Sequence, residues 1–473
     1  MRYITKTFFA LAAFAALFAC DPENEEITTD ESAMLTFSAD SVIFDTLFTE
    51  VKSITKRFRA INTSNKAVNI SSISLGNPTG SYSLVINGAK TDRVEDIFLR
   101  GNDSLLVLVE ATVNPQDKDL PFLVQDSVVF ETNGNVQDVK LVAWGQDAFF
   151  HSKGEVIEGE TTWTSNRPHV VTDSLFIAEN AILNIEAGSQ IYFNNNAYAI
   201  VFGSLHINGT CEDTVRLEGI RREEDYLDVA GQWDGLYFAP SSHDNTINNA
   251  TIRNGGSGIY LWSEEVPATP AITINNTLIE NMSSTGIFLI GTNAEISNTI
   301  VNNCLSYTLA LTSGGTYRLT HNTFANFGID FVRELPAVSI SNVYVPGWED
   351  DPTMRLDDLN LTLTNNIFWG NLLDEILIVE ATDKQLAINS QKNVFRSTES
   401  LVEKLGTDNL YYGNQITDQD SLFASSPSDQ RFELNKNSPA RDAGIVTENG
   451  ASPCTPHDNM PDIGAIEWVE AQE

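Results

Sequence analysis

The chain has 473 residues, enough for two or three domains, and its 28 Lys and Arg against 64 Asp and Glu give a formal net charge of −36. A field of that sign repels nucleic acid and anionic phospholipid headgroups, so DNA and RNA are excluded as expected partners, and strongly acidic polysaccharides need a local basic patch or bound cations. Four cysteines without metal-ligand spacing exclude a disulfide framework and give no zinc motif.

Arg2 and Lys6 precede an apolar run, Phe8 to Ala19, too short to cross a bilayer as a helix, which needs ~20 residues. It ends Leu17-Phe18-Ala19-Cys20, which resembles a bacterial lipobox, although Phe18 stands where a small or hydroxylated residue is usual. The resemblance implies a lipoprotein signal peptide over 1–19 and lipidation of Cys20, so that the membrane is a partner through that anchor. An ordinary secretory cleavage near Ala19 is the alternative. Residues 20–32, opening Asp21-Pro-Glu-Asn-Glu-Glu26, are too polar to bury a core and are expected to form an acidic disordered tether. This stretch is similar to the acidic export tag of surface lipoproteins of the Bacteroidota, which implies an outer-membrane address facing the cell exterior.

From 33 to 147, alternating apolar stretches recur between turn residues: Met34–Phe37, Val42–Phe44, Thr55–Asn62, Val68–Leu75, Tyr82–Ile86, Ser104–Val113, Asp126–Thr132 and Val136–Ala143. Apolar residues at every second position give strands with one buried face. In Ser104–Val113 both sets are largely apolar, which predicts a central strand. Asn133-Gly134 is a hairpin turn, because both residues tolerate positive φ. Eight short strands suit an immunoglobulin-like β-sandwich. Phe58–Ile73 and Asp126–Asn135 resemble strands of Ig-like domains that precede β-helices in surface lipoproteins, which implies a spacer or platform.

Gly145 to Gly154 reads as a joint. Beyond Val156, Leu183–Phe193 and Ile200–Gly209 have a strand–Gly–strand form, and Gly231-Gln-Trp-Asp-Gly-Leu-Tyr-Phe238 places Gly at a bend and Trp233 in a coil interior. Five phrases then recur, Asn249-Ala-Thr-Ile-Arg-Asn, Asn276-Thr-Leu-Ile-Glu-Asn, Asn298-Thr-Ile-Val-Asn-Asn, Asn322-Thr-Phe-Ala-Asn-Phe and Asn365-Asn-Ile-Phe-Trp-Gly, the first four starting 22 to 27 residues apart and the fifth 43 later. Self-similarity at this period marks a solenoid. A short apolar strand with Asn at the adjoining bend predicts a right-handed parallel β-helix over 156–470, making the chain all-β. Ile252, Ile279, Val301 and Ala325 should line its interior, and the leading asparagines should stack and bond one another.

An excursion interrupts the period between the fourth and fifth phrases. Tyr344 and Trp348-Glu-Asp350-Asp351-Pro-Thr-Met-Arg355-Leu-Asp357-Asp358 combine aromatic rings, five acids and one Arg. One reading is a loop over a cleft, with Tyr344 or Trp348 stacking on sugar and Asp350, Asp351, Asp357 and Asp358 holding Ca²⁺; no other cofactor is implied. The other is a solvated surface excursion, and it weighs more in so acidic a chain. Arg318, Arg333 and Arg355 are read as surface charges. The closing Asn437-Ser-Pro-Ala-Arg-Asp-Ala-Gly444 and Pro461-Asp-Ile-Gly-Ala-Ile-Glu467 resemble the last segment of pectate-lyase-like β-helix proteins, which implies a cap on the open end, tied by Asp442, Asp462 and Glu467. Of the later cysteines, Cys211, Cys304 and Cys454 are read as buried thiols, with one bridge as the alternative.

Enzymes of that superfamily imply polysaccharide chemistry, yet the ordered Asn-x-Asp, Asp-Asp, His-Gly and Arg-x-Lys set of its hydrolases is missing. The sequence therefore favours a non-catalytic surface protein that binds glycans or a surface-protein partner, or serves as an adhesion scaffold. A polysaccharide lyase or glycoside hydrolase acting in a groove of the helix is the alternative.

Overall fold

The computed structural model describes residues 26–469 apart from 79, 329–331, 345–354, 399–400, 414–421, 425–431, 449, 455–457 and 459. The signal segment, Cys20, Trp348, Asp350 and Asp351 lie outside the described residues. The chain divides into two compact units between Asp147 and Ala148.

In the first unit two five-stranded sheets share one core, in which Phe58, Ala60, Leu84, Val107 and Val109 of one sheet meet Val68, Ile70, Val128, Phe130 and Leu141 of the other. Ser104–Ala111 is central in its sheet, between Lys56–Asn62 and Tyr82–Ile86, as its two apolar faces predict. The long strands Phe122–Thr132 and Asn135–Gln146 meet at Asn133 and Gly134, with φ of 51° and 82°. Arg93–Leu99 was not legible as a strand. It is an edge strand whose side chains face solvent at most positions, so no apolar alternation was needed. Residues 26–32, expected in the tether, are tied to this unit instead: Thr28 N–H donates to Ala67 O, Ala67 N–H to Glu26 O, and Asn135 Nδ2 to Glu31 O.

The second unit is built of coils whose three strands stack into three parallel sheets, of eleven, nine and nine strands among the described residues. The first sheet carries the Asn phrases. It begins at Phe149–His151, earlier than expected, so the joint is already a strand. Inside, apolar columns close on themselves: Ile252, Ile279 and Val301 stack, and Phe324, Phe368, Phe395 and Tyr411 follow with ring centroids 4.9 to 5.6 Å apart. Trp233 stacks on Phe193 at 4.2 Å and donates Nε1–H to Arg253 O. Gly235 has φ of 151°, and a Cβ there would meet Ser257 O at 2.4 Å, so this bulge in the register requires glycine.

The register corrects the fourth phrase by one residue. Val301 pairs with Phe324 and Asn302 with Ala325, so Phe324 points inward and Ala325 outward. Two Asn residues in succession, Asn365-Asn366, hid that slip. His321 takes the bend position of Asn298 and Asn365, all at positive φ near 50° to 60°. Apart from Asn322, whose phrase is the one out of register, the leading asparagines do not form the ladder. Those that end three phrases do: Asn303 donates to Asn281, which donates to Asn254, which donates to Leu227 O. A second run links Asn322, Asn366, Asn393 and Asn409 at 2.9 to 3.0 Å. Each such bond contributes about 1 kcal/mol net and keeps a buried amide satisfied.

The closing segment, expected as a cap, runs along the side of the coils. It lies on the outer face of the first sheet, where Ala325, Ile367, Trp369 and Val394 are buried with Leu422, Phe423, Phe432, Leu434, Ala440 and Ile463. It then returns along earlier coils. Asn365 exchanges two hydrogen bonds with the Ile445 backbone, Ser452 donates to Asn276, and Cys454 is disulfide-bonded to Cys211. The expectation of free thiols thus holds for Cys304, which is buried with its thiol pushed up to about 12 by burial, and fails for Cys211 and Cys454. As expected, Asp462 accepts from the N–H groups of Asp442 and Trp468, and Glu467 accepts from that of Asp462. Asp442 itself turns to Arg441.

Candidate functional site

Strand alternation gives each solenoid sheet an outer face, and the coils stack its residues in columns about 4.8 Å apart. In the second sheet Leu236, Phe238, Ile259, Leu261, Ile287 and Leu289 face the core, which turns the residues between them outward. The paired column reads Val156, Phe176, Ile200, Tyr237, Tyr260, Phe288, Ala310, Ser339, Leu377. Apolar and aromatic side chains are expected inside, so this run on the outside, half-buried from Phe176 to Phe288, needs a reason. Tyr237 and Tyr260 lie 5.8 Å apart, Tyr260 and Phe288 5.1 Å, and Trp262 stands 5.8 Å from Tyr260.

The excursion joins this column. Val343–Tyr344 pairs antiparallel with Arg355–Leu356, forming a short stem. Thr312 Oγ1 donates to Val343 O, which holds the stem on the outer face of the sheet. The Tyr344 ring reaches Phe288 at 6.4 Å. Arg355 donates Nη1–H to Ser263 O at 2.6 Å and Nη2–H to Glu264 O at 3.0 Å, so it is a latch and not a surface charge. Gly291 leaves room for it: a Cβ there would meet Nη2 at 2.7 Å.

Burial, then the Asp234 carboxylate, raises the Tyr237 hydroxyl above its ordinary range; burial, then Tyr344, does so for Tyr260. Both are therefore neutral donors at physiological pH, and Tyr237 donates to Asp234 at 3.1 Å. Off the ends of three successive strands lies an open pocket of about 780 Å³ lined by Phe202, Ala239, Pro240, Ser241, Glu264 and Glu265. Rings with hydroxyl and carboxylate groups beside them suit a ligand having both apolar faces and hydroxyls.

The structure thus brings Tyr344 and Arg355 to one face and sends Asp357 and Asp358 elsewhere. Asp357 accepts from Lys384 Nζ at 3.2 Å and Asp358 from Gln385 N–H at 2.8 Å. With one carboxylate on an ammonium and the other on a backbone donor, this pair does not fit a Ca²⁺ site. Among the described residues no group of three or more His, Cys, Asp or Glu could hold a metal ion.

A second cluster, missed in the sequence, lies on the outer face of the first sheet. Arg253 Nε donates to Glu218 at 2.6 Å, and its Nη1 stands 3.9 Å from Glu280 and 4.0 Å from Asp228. Glu218 and Glu280 are 7% and 8% exposed. Burial lifts the Glu280 carboxyl above the usual range, with Arg253 pulling the other way. The signal was available, since Arg253 and Glu280 hold the fifth position of their phrases and project outward. Arg333, expected at the surface, is fully buried on Glu375, which also accepts from the N–H groups of Leu372 and Ala337. That knot fixes a corner and encloses both charges fully.

A family model described as the right-handed beta helix region matches residues 234–460. No curated protein matches the chain. Among solved structures, the catalytic unit of a GH87 alpha-1,3-glucanase from Streptomyces thermodiastaticus is 10% identical, with 76% of this chain and 88% of that one covered and a TM-score of 0.24. A family 123 glycoside hydrolase from Clostridium perfringens is 7% identical, with 24% of this chain covered and a TM-score of 0.18, and the chain spans a quarter of that enzyme's length. A PapD-like domain of human CEP192 is 10% identical, with 27% of this chain and 95% of that one covered and a TM-score of 0.17. At such scores these likenesses carry no argument about activity.

Proposed function

We propose that this is a lipid-anchored protein of the outer-membrane surface that binds glycans, without cleaving them, on the outer face of the second solenoid sheet. The observation that carries the reading is the column Tyr237, Tyr260 and Phe288, extended by Trp262 and by Tyr344 from a latched excursion. Half-buried rings in register, each beside a hydroxyl or carboxylate, offer stacking faces and orienting polar groups together. The first unit is read as an immunoglobulin-like spacer, and the anchor rests on Arg2, Lys6 and the run ending at Cys20.

Affinity electrophoresis over a panel of soluble polysaccharides, with reducing ends assayed in parallel, tests the reading. Retardation by at least one glycan without product is expected. No retardation across the panel would reject glycan binding. Fatty-acid labelling in the native host tests the anchor, and label that survives Cys20→Ala would reject it.

A lyase or hydrolase is the second reading, favoured by the Glu218–Arg253–Glu280 cluster on the first sheet. Product that disappears in Glu280→Gln would establish it.

A further inference from the structure

The rings of this face do not lie in one plane. Tyr237 and Tyr260 are tilted by 47°, Tyr260 and Phe288 by 84°, and Phe288 and Tyr344 by 74°. A flat crystalline lattice needs coplanar rings, because every contact must be made in one plane. Rings that turn from coil to coil meet instead the successive faces of a chain that twists as it advances. The centroid steps of 5.8 and 5.1 Å from Tyr237 to Tyr260 to Phe288 run from coil to coil, each close to the length of one pyranose unit in an extended chain, and Tyr344 stands 6.4 Å from Phe288. At Ala310 the column loses its ring, and Tyr344 supplies one from the excursion.

Charge narrows the ligand further. Asp234 borders the column, and Glu264 and Glu265 line the adjoining pocket, on a chain of net charge −36. The guanidinium of Arg355 commits Nη1 and Nη2 to the carbonyls of Ser263 and Glu264, so it does not face outward to pair with a uronate. Carboxylates beside the rings accept from sugar hydroxyls and repel an anionic chain.

We infer that the outer face of the second sheet binds a single, soluble, neutral glycan chain lying along the helix axis over Tyr237, Tyr260, Phe288 and Tyr344, with about one sugar per ring. This rests on the glycan-binding reading, and its test separates the two. Calorimetry with the full chain uses di- to hexasaccharides of β-1,4-glucan, β-1,3-glucan, xylan and mannan, with oligogalacturonides and crystalline cellulose as contrasts.

For one neutral series, affinity should rise by about tenfold or more from di- to tetrasaccharide, level off beyond it, and not change with salt. Tyr260→Ala should lose about tenfold for the tetrasaccharide. Phe288→Ser, checked for an unchanged melting curve, should do the same if Tyr260→Ala folds poorly. Binding that ignores chain length, prefers oligogalacturonide with strong salt dependence, or occurs on crystalline cellulose would overturn the inference and leave glycan binding standing. So would normal affinity in both variants. A dimer that dissociates in Phe288→Ser would show that a second copy is the occupant, overturning it too. Failure of every glycan to bind would remove both readings.

Discussion

The outer faces of two sheets in the same solenoid have been put to different uses. On the first sheet the late coils are covered by the tail, and the early ones carry charges that satisfy one another around Arg253. On the second sheet the rings stay half-buried and the excursion adds to them. The interiors of both are made alike, from apolar columns that run through successive strands. Equivalent positions in a repeat therefore carry the fold when they point inward and are free to diverge when they point outward.

That contrast predicts stability effects from changes around the first sheet and binding effects from changes on the second. The largest should come from Glu375→Ala, which strands the Arg333 guanidinium in a fully buried site and should cost about 3–5 kcal/mol in denaturant unfolding. Cys454→Ser should cost about 2–4 kcal/mol, because the bridge to Cys211 closes a very long loop, and it should speed proteolysis of the tail. A loss confined to less than ~0.5 kcal/mol, the range of ordinary surface changes, would mean that the tail holds without its staple.

Acid sharpens the comparison. Burial holds His321, under the tail, at about 4, and His169, in the second coil, also at about 4, both below the ordinary 6.5. The unfolded chain binds more protons between those values. Stability present above pH 6.5 is therefore lost as pH falls towards 4, with a slope approaching about 1.4 kcal/mol per pH unit for each histidine. His321→Asn, which restores the residue of Asn298 and Asn365 at that bend, should flatten the slope measured by unfolding at a series of pH values. The smallest stability change belongs to Tyr260→Ala. It should shift unfolding by about 1 kcal/mol or less while removing most glycan affinity.

The interior was legible in the sequence because Ile252, Ile279 and Val301 repeat within phrases of one length. The outer column of the second sheet was not, since it depends on how coils of unequal length come back into register. The one-residue slip at Ala325 shows how little it takes to turn a side chain from inside to outside. Tyr344 and Arg355 were found as a polar, aromatic excursion, but their partners Tyr260, Phe288 and Ser263 are remote in sequence and no local pattern announces them. The bridge between Cys211 and Cys454 spans 243 residues and follows from the tail turning back along the coils, which spacing alone does not disclose.

Amide hydrogen exchange with and without a bound glycan tests the division between the two faces most directly. Protection is expected in Trp233–Phe238, Gly255–Trp262 and Ile287–Ile290 of the second sheet, with Ala250–Arg253 and Leu278–Met282 of the first unchanged. Protection centred on the first-sheet strands, with the second-sheet strands unchanged, would contradict it.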